Sequence, residues 1–553
     1  MVNVAAVREP LHDSETRPSS AWSPLAHPVF RALWLASCVS NVGTWMHDTS
    51  AAWLMTGLAP SPLMVSLMQT ATSLPFFLLA LPAGALADIA DRRRLLLVTQ
   101  AWMLVAAAAL GVCTVLGRTG PWLLLSLTFC MGLGNALNAP AWQATTPDLV
   151  PREELAGAVA LGGISVNVAR ALGPALGGLL VAALGAGWVF LLNAASFLGV
   201  VLVLARWHRE VPRSRLPPED VPGAMRAGVR YVRHSAPFRA VLARTAAFVV
   251  PASALWALLP LFARRGLGLS ATGYGLLLGC LGAGAIVGAA FLPRLRERLT
   301  SDRLVLAGTA VFAAVSAVVA LARVPLIAGG GLFIGGMAWM GAMSTLSVAA
   351  QNAVPAWVRA RALAVGLLAV QGSMALGSLL WGVVATHSDI PTALVAGAAM
   401  LLAGAVASRR FVLHGLSNLD LRPDPRWSLP ETACQLDGDE GPVLVTLEYD
   451  VDPDRAEEFL RAVRRLEPVR RRDGAIRWSV YRDTEDPHRW LEMFVVESWI
   501  EHLRQHERVT ADDRALFEAA ARFDRGGNGP RVRHHIAGRQ AEQLRWNDRA
   551  AGK

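Results

Sequence analysis

Lysine is almost absent from this chain of 553 residues: Lys553 is the single example, and arginine carries nearly all of the positive charge. Only 17% of the residues are charged, compared with about 25% in an ordinary soluble domain. The five cysteines have no metal-ligand spacing and predict no disulfide framework. No G-x-x-x-x-G-K-S/T loop occurs, so the sequence gives no support for direct use of ATP.

The scarcity of charge goes with an excess of apolar residues, which are unevenly distributed. The chain is 53% hydrophobic with a mean hydropathy of +0.39. Apolar sequence fills residues 29–412, whereas residues 413–553 have the composition of a soluble protein. Residues 1–28 are polar, and the first apolar stretch is too long for the core of a signal peptide, so we expect it to remain as a span. The sequence predicts a membrane body and a water-facing tail.

Twelve apolar segments have the length that a helix needs to cross a bilayer, about 20 residues. They are approximately 30–55, 62–86, 95–117, 122–146, 157–184, 186–206, 238–262, 270–293, 303–323, 325–350, 360–386 and 390–412. A helix satisfies its own backbone hydrogen bonds in lipid, so we expect twelve transmembrane helices.

The membrane body contains an internal repeat. The pattern Val150-Pro151 … Gly162 … Gly173-Pro174 … Gly178 returns as Val354-Pro355 … Gly366 … Gly377-Ser378 … Gly382. Two similar apolar halves are typical of transporters built from repeats. We expect a polar N-terminal tail at 1–28, six-helix halves at 29–206 and 238–412, and a connecting segment at 207–237.

Arginine also predicts the orientation. With the N-terminus in the cytoplasm, the outer loops hold only Arg118, Arg264, Arg265 and Arg323, and many more arginines lie in the inner loops. This bias places both termini in the cytoplasm of a multi-pass protein of the cell membrane. The arginine-rich loops also explain the net charge of +10, so we expect no nucleic-acid partner. In residues 225–233, helical spacing puts Met225, Val229 and Val232 on one face and Arg226, Arg230 and Arg233 on another, as in an amphipathic helix on the inner membrane surface or a solvated linker helix.

The tail changes from helical to alternating periodicity. Residues 443–448 and 476–480 alternate as strands do, and residues 456–463 have helical spacing. With a third strand at 489–497, helices near 498–508 and 512–523, and a last strand at 532–536, the order is β-α-β-β-α-β. We expect a linker at 413–439 and a ferredoxin-like α+β domain at 440–540.

Two motifs carry a family resemblance. The loop Gly84-Ala-Leu-Ala-Asp88-Ile-Ala-Asp91-Arg92-Arg93-Arg94 resembles the signature of the major facilitator superfamily, from which it departs at Ile89 and Asp91. The resemblance implies a conformational role for Gly84, Asp88, Arg92 and Arg93.

The fifth segment contains Gly173-Pro174-Ala-Leu-Gly177-Gly178, which is similar to the antiporter motif of the superfamily's drug exporters. The resemblance implies export. The alternative is a Gly-Pro kink of the kind found in any membrane bundle.

Charged groups inside the spans are few, and each is costly there. Asp48 is the acid placed well inside the membrane, and Arg170 is the most deeply placed base. Asp48 is a candidate proton carrier with Arg170 tuning it, and a structural ion pair that never titrates is the alternative. His47 is a candidate in the same region or a packing residue.

Further polar and aromatic residues are candidates to line a cavity. They are Asn41, Thr44, Asn135, Asn138, Trp256, Trp339 and Gln371. The alternative for each is a bond to a neighbouring helix. The superfamily resemblance implies that spans 1, 4, 7 and 10 line the cavity.

In the tail, His502 and His506 are spaced i, i+4 on one helical face. This spacing can bind a metal, but no third ligand is evident, and solvated histidines are the preferred interpretation. The segment around Trp499 resembles antibiotic-biosynthesis monooxygenase-like domains, which pair into dimeric barrels. This implies a homodimer through the tail; no catalytic set, metal or cofactor is predicted.

Taken together, residues 29–412 resemble a major facilitator superfamily permease of the transmembrane secretion effector branch, which includes enterobactin-type exporters. The segments Phe30-Arg-Ala-Leu-Trp34, Asn41-Val-Gly-Thr44-Trp-Met46 and Asn138-Ala-Pro-Ala-Trp142-Gln143 carry this resemblance. It implies a transporter, not an enzyme, that exports a drug- or siderophore-like small molecule in exchange for protons. A nutrient importer and a permease fused to a solute-modifying enzyme are the alternatives.

Overall fold

A computed structural model describes residues 22–89, 91–207, 221–413, 420–422, 437, 440–527 and 529–537. The first half of the helical body comprises α1 Pro28–Leu58, α2 Pro62–Ile89, α3 Arg92–Val115, α4 Pro121–Thr145, α5 Leu155–Leu184 and α6 Ala186–Arg206. After α7 Val221–His234, the second half comprises α8 Ala236–Leu261, α9 Ala271–Arg298, α10 Ser301–Leu321, α11 Pro325–Asn352, α12 Arg359–His387 and α13 Ile390–Ala407. The sequence at the helix starts explains several boundaries, since proline occupies the first turn of α1 and α4 and Asp389 caps α13.

Within the described part of the chain, eleven helices are long and apolar enough to cross a membrane. The first of them along the chain lies in α2, at Pro62–Leu79. The 31-residue helix α1 is not among the eleven, because polar residues such as Asn41, His47 and Asp48 lower its hydropathy. The expectation of twelve spans therefore depends on α1, which packs inside the bundle against α5 and α6.

The two halves contact each other most extensively through two helix pairs, α5 with α9 and α2 with α12. Gly178 of α5 lies directly against the backbone of α9, where a β-carbon would come 3.0 Å from the Cα of Gly275. Its repeat partner, Gly382 of α12, lies against α2, where a β-carbon would come 2.7 Å from the Cβ of Ser66. The repeated glycine thus has the same role in both halves, which is to let one helix of each half approach the other half closely.

A second pair of repeated glycines acts within each half. A β-carbon on Gly173 of α5 would come 3.2 Å from the carbonyl oxygen of Val42 in α1. A β-carbon on Gly377 of α12 would come 3.1 Å from the Cα of Val250 in α8. The sequence repeat therefore records equivalent helix crossings, α1 with α5 and α8 with α12.

The tail contains one four-stranded antiparallel sheet. Its strands are β1 Val443–Asp450, β2 Arg477–Arg482, β3 Arg489–Val496 and β4 Arg531–Ile536, in the order β2-β3-β1-β4. The helices are α14 Ala456–Arg464, α15 Glu467–Asp473, α16 Trp499–Arg508 and α17 Ala511–Ala521. Alternate residues of β1 are buried in a core with Phe459 and Phe494, as expected for a sheet with helices on one face.

A buried charged network crosses this core. The carboxylate of Glu492 is fully buried and accepts hydrogen bonds from Arg470 Nε at 3.1 Å, Trp478 Nε1 at 3.0 Å and the Tyr449 hydroxyl at 3.0 Å. The Arg470 guanidinium also lies 4.5 Å from the ring centre of Phe494. Both charges are therefore partnered away from water, as a buried pair requires.

The tail is docked on α7 and on the second half of the body. Arg230 of α7 pairs with Glu501 of α16 at 2.8 Å. On the body side, the Tyr231 hydroxyl donates to the Ala353 carbonyl at 2.6 Å. Helix α7 therefore contacts both the tail and the second half of the body, although the side chain of Val229 on this helix remains exposed.

Candidate functional site

A cavity of about 390 Å³ lies between the two halves. Helices α1, α2, α4 and α5 line it from the first half, and α8, α9, α11 and α12 from the second. Its polar and aromatic lining comprises Trp45, Asp48, Thr49, Gln69, Thr72, Thr128, Arg170, Trp256, Tyr274, Trp339 and Gln371. The volume is within the usual range of small-molecule sites, about 300–1,000 Å³.

Asp48 and Arg170, the two charged residues predicted from the sequence, both line this cavity. Among the described residues, no ion pair within 4.0 Å involves either side chain. The Arg170 guanidinium instead lies 5.7 Å from the ring centre of Trp45. One acid and one base therefore face the same small volume without being fixed to each other. Another deep arginine, Arg244, does pair with an acid, Asp302, at 2.7 Å.

An aromatic cluster forms the wall contributed by the second half. The rings of Trp256 and Trp339 meet edge to face with centres 5.5 Å apart, and Phe248 packs on Trp339 at 5.4 Å. The Trp256 Nε1 is buried and has no hydrogen-bond partner among the described residues. The wall offers apolar surface for a ring or chain of a bound molecule.

Four other predicted cavity residues are not in this lining. Asn41 donates to Ser165 at 2.9 Å, and Thr44 donates to the carbonyl of its own helix at Ser40. The Asn138 amide oxygen accepts from two side chains of α3, at 3.1 and 3.3 Å, and Asn135 does not line the cavity. The described contacts of Asn41, Thr44 and Asn138 are thus within or between helices.

Several lining residues were missed by the sequence interpretation. Gln69 and Thr72 of α2 share a hydrogen bond at 3.3 Å and line the cavity, as does Tyr274 of α9. Polar residues one turn apart in an otherwise apolar segment were the available signal for Gln69 and Thr72. His47 lies elsewhere, buried with its ring centre 4.4 Å from that of Phe190.

Contacts between the two halves lie at the end of the cavity where α1 meets α2. There, Arg264 of the segment after α8 donates to the Thr56 hydroxyl at 3.0 Å and lies 5.4 Å from the ring centre of Trp53. Trp53 in turn stacks on Tyr274 of α9 at 5.7 Å. These contacts join the first half to the second at one end of the cavity.

The conformational motif lies at the opposite end of the helices. Arg92 donates to the Ala144 carbonyl at 2.9 Å, and Arg93 donates to the Leu204 carbonyl at 2.9 Å. Asp91, where the superfamily pattern has glycine, caps α3 by accepting from the Arg94 amide at 2.8 Å. The side chain of Asp88 lies outside the described part of the chain. The arginines tie the ends of α3, α4 and α6 together within the first half.

The histidines of the tail differ from their predicted state. His502 is only 2% exposed, and His534 of β4 lies beside it with ring centres 4.7 Å apart. The interpretation of His502 as solvated, without a third histidine nearby, is therefore wrong. Burial lowers the pKa of His502 to about 3, so its imidazole is neutral at pH 7.

The amino-acid sequence is similar to a known protein family and to known transporters. The profile of the transmembrane secretion effector family matches residues 19–542. The enterobactin exporter EntS of Salmonella choleraesuis strain SC-B67 is 28% identical over 323 residues, or 58% of this chain and 76% of the relative. The MFS-type transporter YfiS of Bacillus subtilis strain 168 is 29% identical over 184 residues, or 32% of this chain and 43% of the relative.

Solved structures of transporters share the fold of the helical body. An inward-facing, occupied bacterial homolog of the human lysosomal transporter Spinster has a TM-score of 0.56 and 17% identity, covering 70% of this chain and 98% of the homolog. A POT family transporter in complex with 5-aminolevulinic acid has a TM-score of 0.58 and 12% identity, covering 69% of this chain and 96% of that chain.

Proposed function

The chain belongs to the transmembrane secretion effector family of the major facilitator superfamily, and we propose that it exports a small organic compound across the cytoplasmic membrane. It is a multi-pass membrane transporter, not an enzyme. The observation that carries the proposal is the cavity between the halves, which both halves line and which holds Asp48, Arg170 and the aromatic wall. A site shared by two repeats suits a mechanism in which the halves rock around the bound molecule.

The chemistry of the lining supports a drug- or siderophore-like substrate. Trp256 and Trp339 offer aromatic surface, Gln371 and Thr72 offer hydrogen bonds, and Arg170 offers a positive charge. A compound with a ring system and an acidic or polar edge fits this set. The relative named as an enterobactin exporter supports the same direction and class of substrate.

Proton coupling is assigned to Asp48. A carboxyl group in a membrane cavity can carry a proton from one side to the other. Arg170, which faces the same cavity, favours the charged carboxylate after the proton leaves. Entry of protons down their gradient would then drive export, and the chain would act as an antiporter.

The end of the cavity at Thr56 and Arg264 is assigned to the outer face of the membrane. This follows from the arginine bias, which places both termini and the tail in the cytoplasm. The contact of Arg264 with Thr56 would then be part of an outer gate. With α1 counted as a span, twelve helices cross the membrane.

The tail is assigned to the ferredoxin-like class, supported by the order of its strands, β2-β3-β1-β4. Its docking on α7 supports a regulatory or oligomerising role, with pairing of two tails through their sheets as the proposed dimer. Residues 413–439, mostly outside the described part, are the proposed linker.

Transport into inverted membrane vesicles tests the proposed direction. Vesicles containing the protein should accumulate a fluorescent aromatic dye or a catecholate siderophore when their interior is acidic. Accumulation by right-side-out vesicles or intact cells instead would support the importer. Turnover of the solute without its movement would support the fused enzyme.

A further inference from the structure

Three histidines of the tail converge on one point from two elements. His502 and His506 lie one turn apart on α16, and His534 lies on β4. In the sheet, His534 is opposite Val445, whose side chain is buried, so His534 is on the face covered by helices. One ligand nitrogen from each of the three rings lies within 4.8 Å of those of the others.

The separation of two of these nitrogens fits a bound metal ion. The Nε2 atoms of His502 and His506 are 3.2 Å apart. Two imidazole nitrogens bound at 2.0–2.1 Å to a tetrahedral ion are separated by about 3.3 Å. This pair already has the spacing of two ligands, and His534 needs only a small side-chain movement to complete a set of three.

A neighbouring amide orients the central ring. The Nδ1 of His502 is 3.3 Å from Oε1 of Gln505, which is itself buried. With that oxygen as acceptor, the proton of His502 is on Nδ1, and Nε2 presents a lone pair toward His506. Such a second hydrogen bond is the usual support of a metal-binding histidine.

The surroundings leave a way in for an ion and a place for a fourth ligand. The Trp499 ring covers one side of the group, with its centre 5.4 Å from that of His502 and 6.0 Å from that of His534. His506 and His534 are partly exposed, and we infer that an ion and a water ligand enter beside them.

We propose that His502, His506 and His534 bind one divalent first-row transition-metal ion of the Zn²⁺ type, with water as the fourth ligand. Imidazoles select zinc, copper, nickel or iron over magnesium and calcium, which require oxygen ligands. This site lies outside the transport cavity and does not depend on the transport function proposed above.

Binding of Zn²⁺ to the full-length protein tests this site. The protein should be purified in detergent with a tag that contains no histidine and stripped with a chelator. Isothermal titration with Zn²⁺ should give one equivalent bound more tightly than any other, and Co²⁺ should give the visible bands of a four-coordinate ion. In His506→Ala and His534→Ala the dissociation constant should rise at least about tenfold, and the Co²⁺ bands should disappear.

His535→Ala is the matched control, since His535 is the next residue of β4, is exposed, and faces the other side of the sheet. It should bind Zn²⁺ as the unmodified protein does. His502→Gln tests the buried position, and its thermal unfolding without metal shows whether the variant is folded. Equal Zn²⁺ affinity in the unmodified protein, His506→Ala and His534→Ala would overturn the proposal. So would a loss of Zn²⁺ affinity in His535→Ala as large as that in the two histidine-ligand variants.

Discussion

The guanidinium of Arg508 lies 4.5 Å from the ring centre of Trp357, so the last turn of α16 contacts the segment between α11 and α12. The same guanidinium forms an ion pair with Glu501 at 2.6 Å, and Glu501 also forms an ion pair with Arg230 of α7. Burial would raise the pKa of Glu501, but hydrogen bonds and charge from Arg508 and Arg230 outweigh it and lower that pKa. Glu501 is therefore a charged centre between tail, linker helix and body.

Arg230→Ala should loosen this docking. The variant removes one charged hydrogen bond from a mostly buried carboxylate, which costs about 1.5–3 kcal/mol. Hydrogen exchange of the α16 amides in the full-length protein should become faster by the factor to which this loss of free energy corresponds. Arg226→Ala is the control, because the Arg226–Glu497 pair is exposed on both sides and 3.8 Å long, and it should change exchange little. Unchanged exchange in Arg230→Ala would contradict the docking role.

Asp48→Asn should abolish proton-coupled transport while the protein remains folded and inserted. The amide occupies the volume of the carboxyl group but neither takes up nor releases a proton at any accessible pH. The measurement is substrate uptake by inverted vesicles with and without a pH gradient. Asp389→Asn, at the exposed start of α13, should keep the full gradient dependence. Gradient-driven uptake by Asp48→Asn at the normal rate would refute the assignment.

Replacing Arg170 by glutamine should reduce transport to a similar extent. Arg170 is the cationic member of the cavity and lies beside Trp45. If Arg170 acts on Asp48 as proposed, removing its positive charge makes release of the proton from Asp48 less favourable. Uptake measured over a pH series should show activity shifted to higher pH. Preserved activity with an unchanged pH profile would separate Arg170 from the coupling step.

The double variant Gly173→Val with Pro174→Ala should impair transport more than expression. A side chain at Gly173 has no room against Val42 of α1, and the alanine removes the proline inside α5 that is expected to bend the helix. Gly163→Val on the same helix is the control, because no atom lies within 4 Å of a β-carbon there. Export rates normalised to the amount of inserted protein give the comparison. Normal export by the double variant would make the motif dispensable.

Residues 440–540 should fold alone as a soluble α+β domain and form a dimer. The core around Phe459 and Glu492 is complete within the tail. Size-exclusion chromatography and circular dichroism provide the check. An unfolded product would refute the predicted domain boundary. A monomeric product would refute the predicted dimer, and a coloured product would refute the expectation that the domain has no cofactor. In this fragment Glu492→Ala should lower the free energy of unfolding by about 3–5 kcal/mol, because it leaves the Arg470 charge buried and unpaired.

The sequence predicted the features that depend on local spacing. The helix limits followed from apolar length, and the glycines shared by the two halves marked real helix crossings, as Gly178 and Gly382 illustrate. Asp48 and Arg170 were selected because charge is rare in apolar segments, and both line one cavity.

Contacts between distant segments were not predictable in this way. His534 is separated from His502 by α17, and only the register of β4 on β1 brings the two rings together. Likewise, the arginines of α7 were interpreted as facing lipid or water, whereas Arg230 reaches an acid that is far along the chain. Spacing shows which residues share a face, but not which other segment covers that face.

The docking surface for the tail has a consequence for biosynthesis. It is made of α7 and of Trp357 between α11 and α12, and none of its described ion pairs or ring contacts uses the first half. Chains emerge from the ribosome with the N-terminus first, so the tail is translated after every part of its docking surface. Docking can thus occur only on a chain whose second half has already been made, and a misinserted second half would leave α16 uncovered and recognisable to quality-control proteases.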